Sequence, residues 1–198
     1  MQNIIVTNLG EACRTSPLHL HNGHADGGPH FIPDQARVLN SVEINSDSPD
    51  LEAAFEKAGP REKIFFDPGV TRAAIVTCGG LCPGLNNVIR SLVLELYHNY
   101  GVRDIRGIRY GYDGMGRRPF DTVVALDPNI VDAIDRQGGS MLGCSRGNPP
   151  LEEMAGFLLE NRIDMLFAIG GDGTQRGAWE ISKELQRRGA PVAVVGIP

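Results

Sequence analysis

Ala73-Ala74-Ile75-Val76-Thr77-Cys78-Gly79-Gly80-Leu81-Cys82-Pro83-Gly84-Leu85-Asn86 is the stretch on which the fold turns. A short, continuously apolar run stopped by two glycines suits a strand buried on both faces. Beyond it Leu85, Ile89, Leu92, Val93, Leu96 and Tyr100 recur at helical spacing, and Gly101 supplies a C-terminal stop. Further out, residues 102–108 read as a strand of mixed polarity, and Asp127-Pro128 opens a helix carrying Ile130, Ala133 and Ile134. Residues 151–160 read as a helix, 165–169 as a second buried strand, 174–188 as a helix closed by Gly189, and 192–195 as a last buried strand. This alternation predicts a doubly wound, Rossmann-like α/β domain, a parallel sheet with helices on both faces.

Upstream the pattern breaks. Gly27-Gly28-Pro29, Pro33, Ser46-Asp47-Ser48-Pro49 and Gly59-Pro60 interrupt it repeatedly. Residues 1–60 therefore read as an extension or arm, and residues 61–198 as the α/β domain. A short helix is expected over 49–58, with Leu51, Ala54, Phe55 and Ala58 on one face, and 64–66 reads as an edge strand.

The 198 residues are 41% hydrophobic and 22% charged, too apolar for a disordered chain. No apolar run approaches the ~20 residues of a membrane helix. A net charge of −5 argues against a chain that coats nucleic acid or an anionic membrane. Phosphate ligands are not excluded, because a nest of amides attracts anions even in an acidic protein. Cys13, Cys78, Cys82 and Cys144 lack metal-type spacing and no signal peptide is read. Reduced thiols in a cytoplasmic protein are expected, with Cys78 and Cys82 partly buried. His19, His21, His24 and His30 lie in a Gly-rich, irregular leader and read as a solvated segment rather than a metal cluster.

Seventeen of the 25 glycines fall between Gly79 and Gly177, clustered at the ends of the expected strands, where open α/β sheets bind ligands. After the first strand, Gly79-Gly80 lets the backbone turn sharply and approach a ligand, and the following helix N-terminus is an anion site. This is neither Gly-x-Gly-x-x-Gly nor a Walker A loop. After residues 165–169 comes Gly170-Gly171-Asp172-Gly173-Thr174. A carboxylate near bound phosphates is poorly placed unless a divalent cation lies between them, so Asp172 implies Mg²⁺. Thr174 is expected to cap the helix and donate to a phosphate oxygen. A third glycine-rich segment, Gly138-Gly139-Ser140-Met141-Leu142-Gly143-Cys144-Ser145-Arg146-Gly147, carries one Arg suited to forked contact with phosphate. Together these segments point to phosphoryl transfer from a nucleotide, chemistry that depends on amides, a metal and cations around the moving group.

These residues resemble the 6-phosphofructokinases. The Cys78–Asn86 stretch quoted above, Gly107-Ile108-Arg109-Tyr110-Gly111-Tyr112, Gly138-Gly139-Ser140-Met141-Leu142-Gly143 and Gly170-Gly171-Asp172-Gly173-Thr174 occur in that family's order, over residues 73–198. The leader ending in Ile64-Phe65-Phe66-Asp67-Pro68, with Cys144-Ser145-Arg146-Gly147 and Gln175-Arg176-Gly177-Ala178, is similar to the subgroup of plants, trypanosomatids and certain bacteria. The resemblance implies that Gly79 lines the nucleotide phosphates and that Arg146 and Gly147 meet the donor. It also implies that Gly171, Asp172, Gly173 and Thr174 hold the donor phosphates, with Asp172 serving Mg²⁺. Gly173 is the donor cue: pyrophosphate-using relatives typically carry Asp there, which crowds the α-phosphate of ATP.

The expectation is therefore an ATP-dependent 6-phosphofructokinase acting on fructose 6-phosphate in glycolysis, homo-oligomeric when full length. The family's proton-accepting Asp follows the strand and Pro at which this sequence stops. The chain thus reads as an N-terminal portion, with its base expected beyond Pro198 and no activity in isolation. The alternatives are the pyrophosphate-dependent enzyme and a non-catalytic nucleotide-binding fragment. NAD and diacylglycerol kinases share Gly-Gly-Asp-Gly-Thr but lack the Cys82-Pro83-Gly84-Leu85-Asn86 loop in this arrangement. Arg90 sits where some relatives bind effectors, and residues 1–60 are read as an arm around a neighbouring subunit.

Overall fold

A computed structural model describes residues 8–20, 30–39, 54–116 and 121–198. The chain divides into two compact units, Met1–Phe66 and Asp67–Pro198. In the first, β1 (Arg14–Thr15) pairs antiparallel with β4 (Lys63–Ile64), and β2 (Arg37–Leu39) with β3 (Ala54–Glu56). Arg61 ties this unit together, its guanidinium donating to the carbonyls of Ile32 at 2.8 Å and Lys57 at 2.6 Å and to Glu56 at 2.8 Å. Two expectations change here. Residues 49–53 lie outside the described residues, but 54–56 form a strand rather than helix, with Phe55 opposite Val38. Residues 63–64 pair with the leader instead of edging the main sheet, and Phe65 and Phe66 are not strand.

The second unit is built on a five-stranded sheet. Its strands are β5 (Arg72–Thr77), β6 (Asp104–Ile108), β7 (Val123–Leu126), β8 (Met165–Ile169) and β9 (Ala193–Ile197), in the spatial order β7-β6-β5-β8-β9. β6, β5, β8 and β9 are parallel and β7 is antiparallel to β6, so an all-parallel sheet is corrected to a mixed one with an antiparallel edge.

β5 accounts for the continuous apolar run quoted first. Ala73 and Ile75 face one side, packing with Leu85, Ile89 and Val93 of α1 (Leu85–Leu94). Ala74 and Val76 face the other, with Met154 and Leu158 of α2 (Leu151–Glu160) and Ile181 and Leu185 of α3 (Asp172–Arg187). A strand covered on both faces cannot alternate with polar residues. Each fully buried Ile or Leu here contributes about 1.5–3 kcal/mol. After α1 the chain winds one wider turn, Glu95–Tyr100, and Gly101 ends it at φ 80°.

The chain leaves β5 for β6 on one side, while β8 and β9 extend the sheet on the other, so the strand order reverses between β5 and β8. That switch point opens a crevice at the carboxyl ends of these two strands. At the opposite end Arg72 clasps the sheet, its backbone N–H donating to Asp164 at 2.7 Å and its side chain to Asp104 and the Asn161 carbonyl. Burial works against ionising Asp104, but hydrogen bonds from Arg106 and Arg72 hold its carboxyl below the usual value.

The helix expected after Asp127-Pro128 is not continuous. Asp127 does accept from the N–H groups of Asn129 and Ile130, at 2.8 and 3.0 Å, but turns follow and only Ile134–Arg136 makes a short 3₁₀ segment. Just beyond this segment Asn86 of α1 holds the chain: its Nδ2 donates to the Gln137 carbonyl at 3.0 Å and its Oδ1 accepts from Met141 N–H at 2.8 Å.

Candidate functional site

The crevice is built by three loops locked to one another. Cys78 N–H donates to the Ile169 carbonyl at 3.0 Å, joining the loop after β5 to the end of β8. Gly79 N–H donates to the Ser145 carbonyl at 2.9 Å, joining it to the 138–147 loop. The Thr77 hydroxyl donates to the Gly143 carbonyl at 2.9 Å and is bonded to the Ser140 hydroxyl at 2.7 Å. Leu142, 1% exposed, seats this loop on the sheet. It occupies the space over Gly107 of β6, where a Cβ would stand 2.4 Å from Leu142 Cδ2.

The result is a cleft of about 550 Å³ lined by all seven residues singled out from the sequence: Gly79, Arg146, Gly147, Gly171, Asp172, Gly173 and Thr174. Arg146 is exposed on one wall and Asp172 on the other, at the head of α3. Gly170, at φ 150°, makes the turn from β8: a Cβ there would meet the Cys78 carbonyl oxygen at 2.6 Å and Thr174 Oγ1 at 2.5 Å. At Gly173, by contrast, a Cβ would meet nothing within 4 Å.

Thr174 does not cap the helix. α3 starts at Asp172 with Gly171 as its N-cap and no side-chain cap, so Thr174 lies in the first turn, 4% exposed. An uncapped N-terminus of this length leaves backbone donors and a partial positive charge for an anion. Asp172 adds one exposed carboxylate with no ion pair among the described residues. That donor set fits Mg²⁺, which commonly takes one or two carboxylates together with substrate phosphates.

Cys78 and Tyr112 form the floor. Burial pushes the Cys78 thiol up to about 12, opposed by a hydrogen bond from the Tyr112 backbone and assisted by Cys144 and Asp113, so it stays a neutral thiol. Burial, with Cys78 beside it, also raises Tyr112, whose hydroxyl donates to the Thr174 carbonyl at 2.8 Å. Cys82 is exposed rather than partly buried. Of the four leader histidines, His21 and His24 lie outside the described residues, His19 is exposed and His30 half-buried.

Sequence reasoning singled out no role for Tyr112, Asn148, Arg176, Gly177 or Glu180, which also line the cleft. Asp172, Arg176 and Glu180 are spaced by four along α3, and that periodicity was the available signal. Tyr112 carried no such signal: its ring reaches the cleft because Gly177 has no Cβ, which would otherwise stand 2.6 Å from it.

Comparison with known proteins agrees with this geometry. Residues 72–198 match the phosphofructokinase family. The chain is 44% identical to an ATP-dependent 6-phosphofructokinase of Borreliella burgdorferi, over 98% of this chain and 43% of the relative. It is 55% identical to an enzyme of the same description from Entamoeba histolytica, over 85% of this chain and 38% of the relative. The chain thus spans less than half the length of these curated relatives. In fold it is similar to a pyrophosphate-dependent phosphofructokinase of Marinobacter aquaeolei, with a TM-score of 0.58 at 19% identity over 65% of this chain and 33% of that one. A Saccharomyces cerevisiae phosphofructokinase gives 0.55 at 21% identity over 65% and 17%. Mixed sheet, switch-point cleft and glycine loops all agree with the family match: the chain belongs to the phosphofructokinase family.

Proposed function

We propose that this chain is the donor-binding part of an ATP-dependent 6-phosphofructokinase, which transfers the γ-phosphoryl group of ATP to fructose 6-phosphate. The observation that carries this reading is the open space at Gly173, beside an uncapped helix N-terminus in a cleft large enough for a nucleotide. Gly79 and the 171–174 turn bring backbone close to the phosphates, with Arg146 and Gly147 on the facing wall. Asp172 holds Mg²⁺, which when bound supplies neutralising charge at the phosphate oxygens. Arg146 contributes a forked, charge-assisted contact of about 1.5–3 kcal/mol. The buried Cys78 thiol gives the floor no competing negative charge. No residue of the 198 is assigned as the base. The working enzyme is placed in the cytoplasm as a homo-oligomer.

Calorimetric titration of the chain with ATP, with and without Mg²⁺, and with pyrophosphate tests this directly. ATP is expected to bind with a Mg²⁺ dependence that Asp172→Asn reduces. Binding of pyrophosphate in preference to ATP would overturn the donor assignment.

A further inference from the structure

β9 is the outer strand of its sheet: β8 lies on one side, and among the described residues no strand lies on the other. Its pairing with β8 fixes which backbone groups are left over. Ala193 N–H donates to the Asp164 carbonyl at 2.9 Å, and the Ile197 carbonyl accepts from Gly170 N–H at 3.0 Å, so the odd-numbered residues of β9 face β8. Alternate residues of a ladder point their N–H and C=O to opposite sides. Val194 and Gly196 therefore aim theirs outward. Natural edges are commonly blunted by a charge or a proline, and Val192-Ala193-Val194-Val195-Gly196-Ile197 holds neither.

This edge is complementary to itself. When a second copy is turned about a two-fold axis through Val195, Val194 comes opposite the partner's Gly196, and Gly196 opposite the partner's Val194. Each such pair exchanges N–H and C=O. Registers shifted by two residues do less well. One sets Gly196 against Val192, whose N–H is already given to the Ala190 carbonyl at 2.9 Å. The other sets Val194 against Pro198, which has no N–H. In the favoured register Val195, 41% exposed, meets its own counterpart at a close, non-hydrogen-bonded position, where a β-branched pair adds to the bonding. On the opposite face Gln175 overhangs Gly196. Trp179, four residues further along α3, projects from the same side of that helix and is 58% exposed. The axis brings both copies of Trp179 toward the seam.

We propose that the chain forms a homodimer by antiparallel pairing of β9 with β9 of a second copy, a two-fold interface centred on Val195. The two sheets then run on as one, and the two clefts, at the carboxyl ends of their strands, open toward opposite ends of the dimer. This inference goes beyond the nucleotide reading and does not depend on it.

Sedimentation velocity over a range of concentrations, together with the fluorescence of Trp179, the chain's only tryptophan, tests it. The unmodified chain should pass from monomer to dimer as concentration rises, with a shift in tryptophan emission over the same range. Val195→Lys and Val195→Glu each set like charges face to face and should weaken the dimer about tenfold or more, with the circular dichroism of the parent retained. Mixed in equal amounts, the two variants should recover a dimer. Amide exchange gives a readout free of any substitution: Val194 and Gly196 N–H should exchange slowly in the dimer and rapidly in the monomer. A monomer at every concentration, a dimer indifferent to both substitutions, assemblies larger than a dimer, a mixture that stays monomeric, or equal exchange in both states would overturn the proposal.

Discussion

The side-chain amide of Gln175 lies across Gly196, so that a Cβ on that glycine would stand 1.9 Å from Gln175 Oε1. From there Gln175 Nε2 donates to the Gly170 carbonyl at 2.7 Å, while Gly170 N–H donates to the Ile197 carbonyl at 3.0 Å. One glutamine thus joins the edge strand to the turn that carries Asp172. Gly196→Ala must push the amide aside and is expected to cost about 1 kcal/mol, the worth of one hydrogen bond. In a Gln175→Ala background the same substitution should cost nearly nothing. A double-mutant cycle by chemical denaturation measures the coupling; additive costs would show that the two residues are independent.

Gly170 and Gly173 are two glycines of one motif with opposite tolerances. Gly170→Ala forces a side chain onto φ 150° and against the Cys78 carbonyl oxygen, and a loss of about 3 kcal/mol is expected. Gly173→Asp enters open space in the first turn of a helix, where an acid is tolerated. Its stability should stay within about 0.5 kcal/mol of the parent, while ATP affinity falls more than tenfold. Denaturation and calorimetry on both variants separate the two effects.

Glu184 predicts an acid-side loss of stability. Its carboxylate accepts from Arg187 at 2.8 Å and Arg188 at 2.7 Å, and these hydrogen bonds hold it at about 2 against an ordinary 4.5, with burial opposing. A depressed folded-state value means that its stabilisation is fully present above pH 4.5 and lost as the pH falls through about 2. The unfolding free energy of Glu184→Gln, followed over that window, should decline less steeply than that of the parent. Parallel curves would remove Glu184 from the account.

Thiol chemistry should sort the cysteines by burial. Cys13 and Cys82 are exposed, whereas Cys78 is buried and protonated up to about pH 12. Under mildly alkaline conditions an alkylating reagent is expected to modify the first two quickly and to reach Cys78 only on unfolding. Mass spectrometry of timed digests reads this out, and early modification of Cys78 would contradict its place in the floor.

The parts of the fold legible in the sequence were those governed by burial on both faces. Residues 165–169 read as the strand they form because the run is continuously apolar, and α2 reads at its observed limits because its apolar residues recur at helical spacing. β7 was missed because an antiparallel edge strand need not fit a βαβ alternation, and its Val123-Val124-Ala125-Leu126 is only partly buried. The spacing of Ile130, Ala133 and Ile134 suggests a helix, but the segment holds only turns and the 3₁₀ piece Ile134–Arg136, and periodicity alone does not separate the two. In the site, loops following strands announced Gly79, Asp172 and Gly173. The floor and the far end of the cleft did not announce themselves, since Tyr112 and Glu180 reach it through packing and helix phase rather than through a glycine signature.

The anchoring of Leu142 over Gly107 bears on when the loop of Arg146 becomes ordered. A segment with Gly138, Gly139 and Gly143 in it has unusually much chain entropy to lose. Because Leu142 is sunk in the core, with Thr77 holding the loop at Ser140 before it and Thr77 and Gly79 holding it at Gly143 and Ser145 after it, that entropy is lost when the domain folds. On the proposed function, a nucleotide would therefore meet a loop already ordered, and a contact with Arg146 would not be weakened by ordering of the loop at the moment of binding.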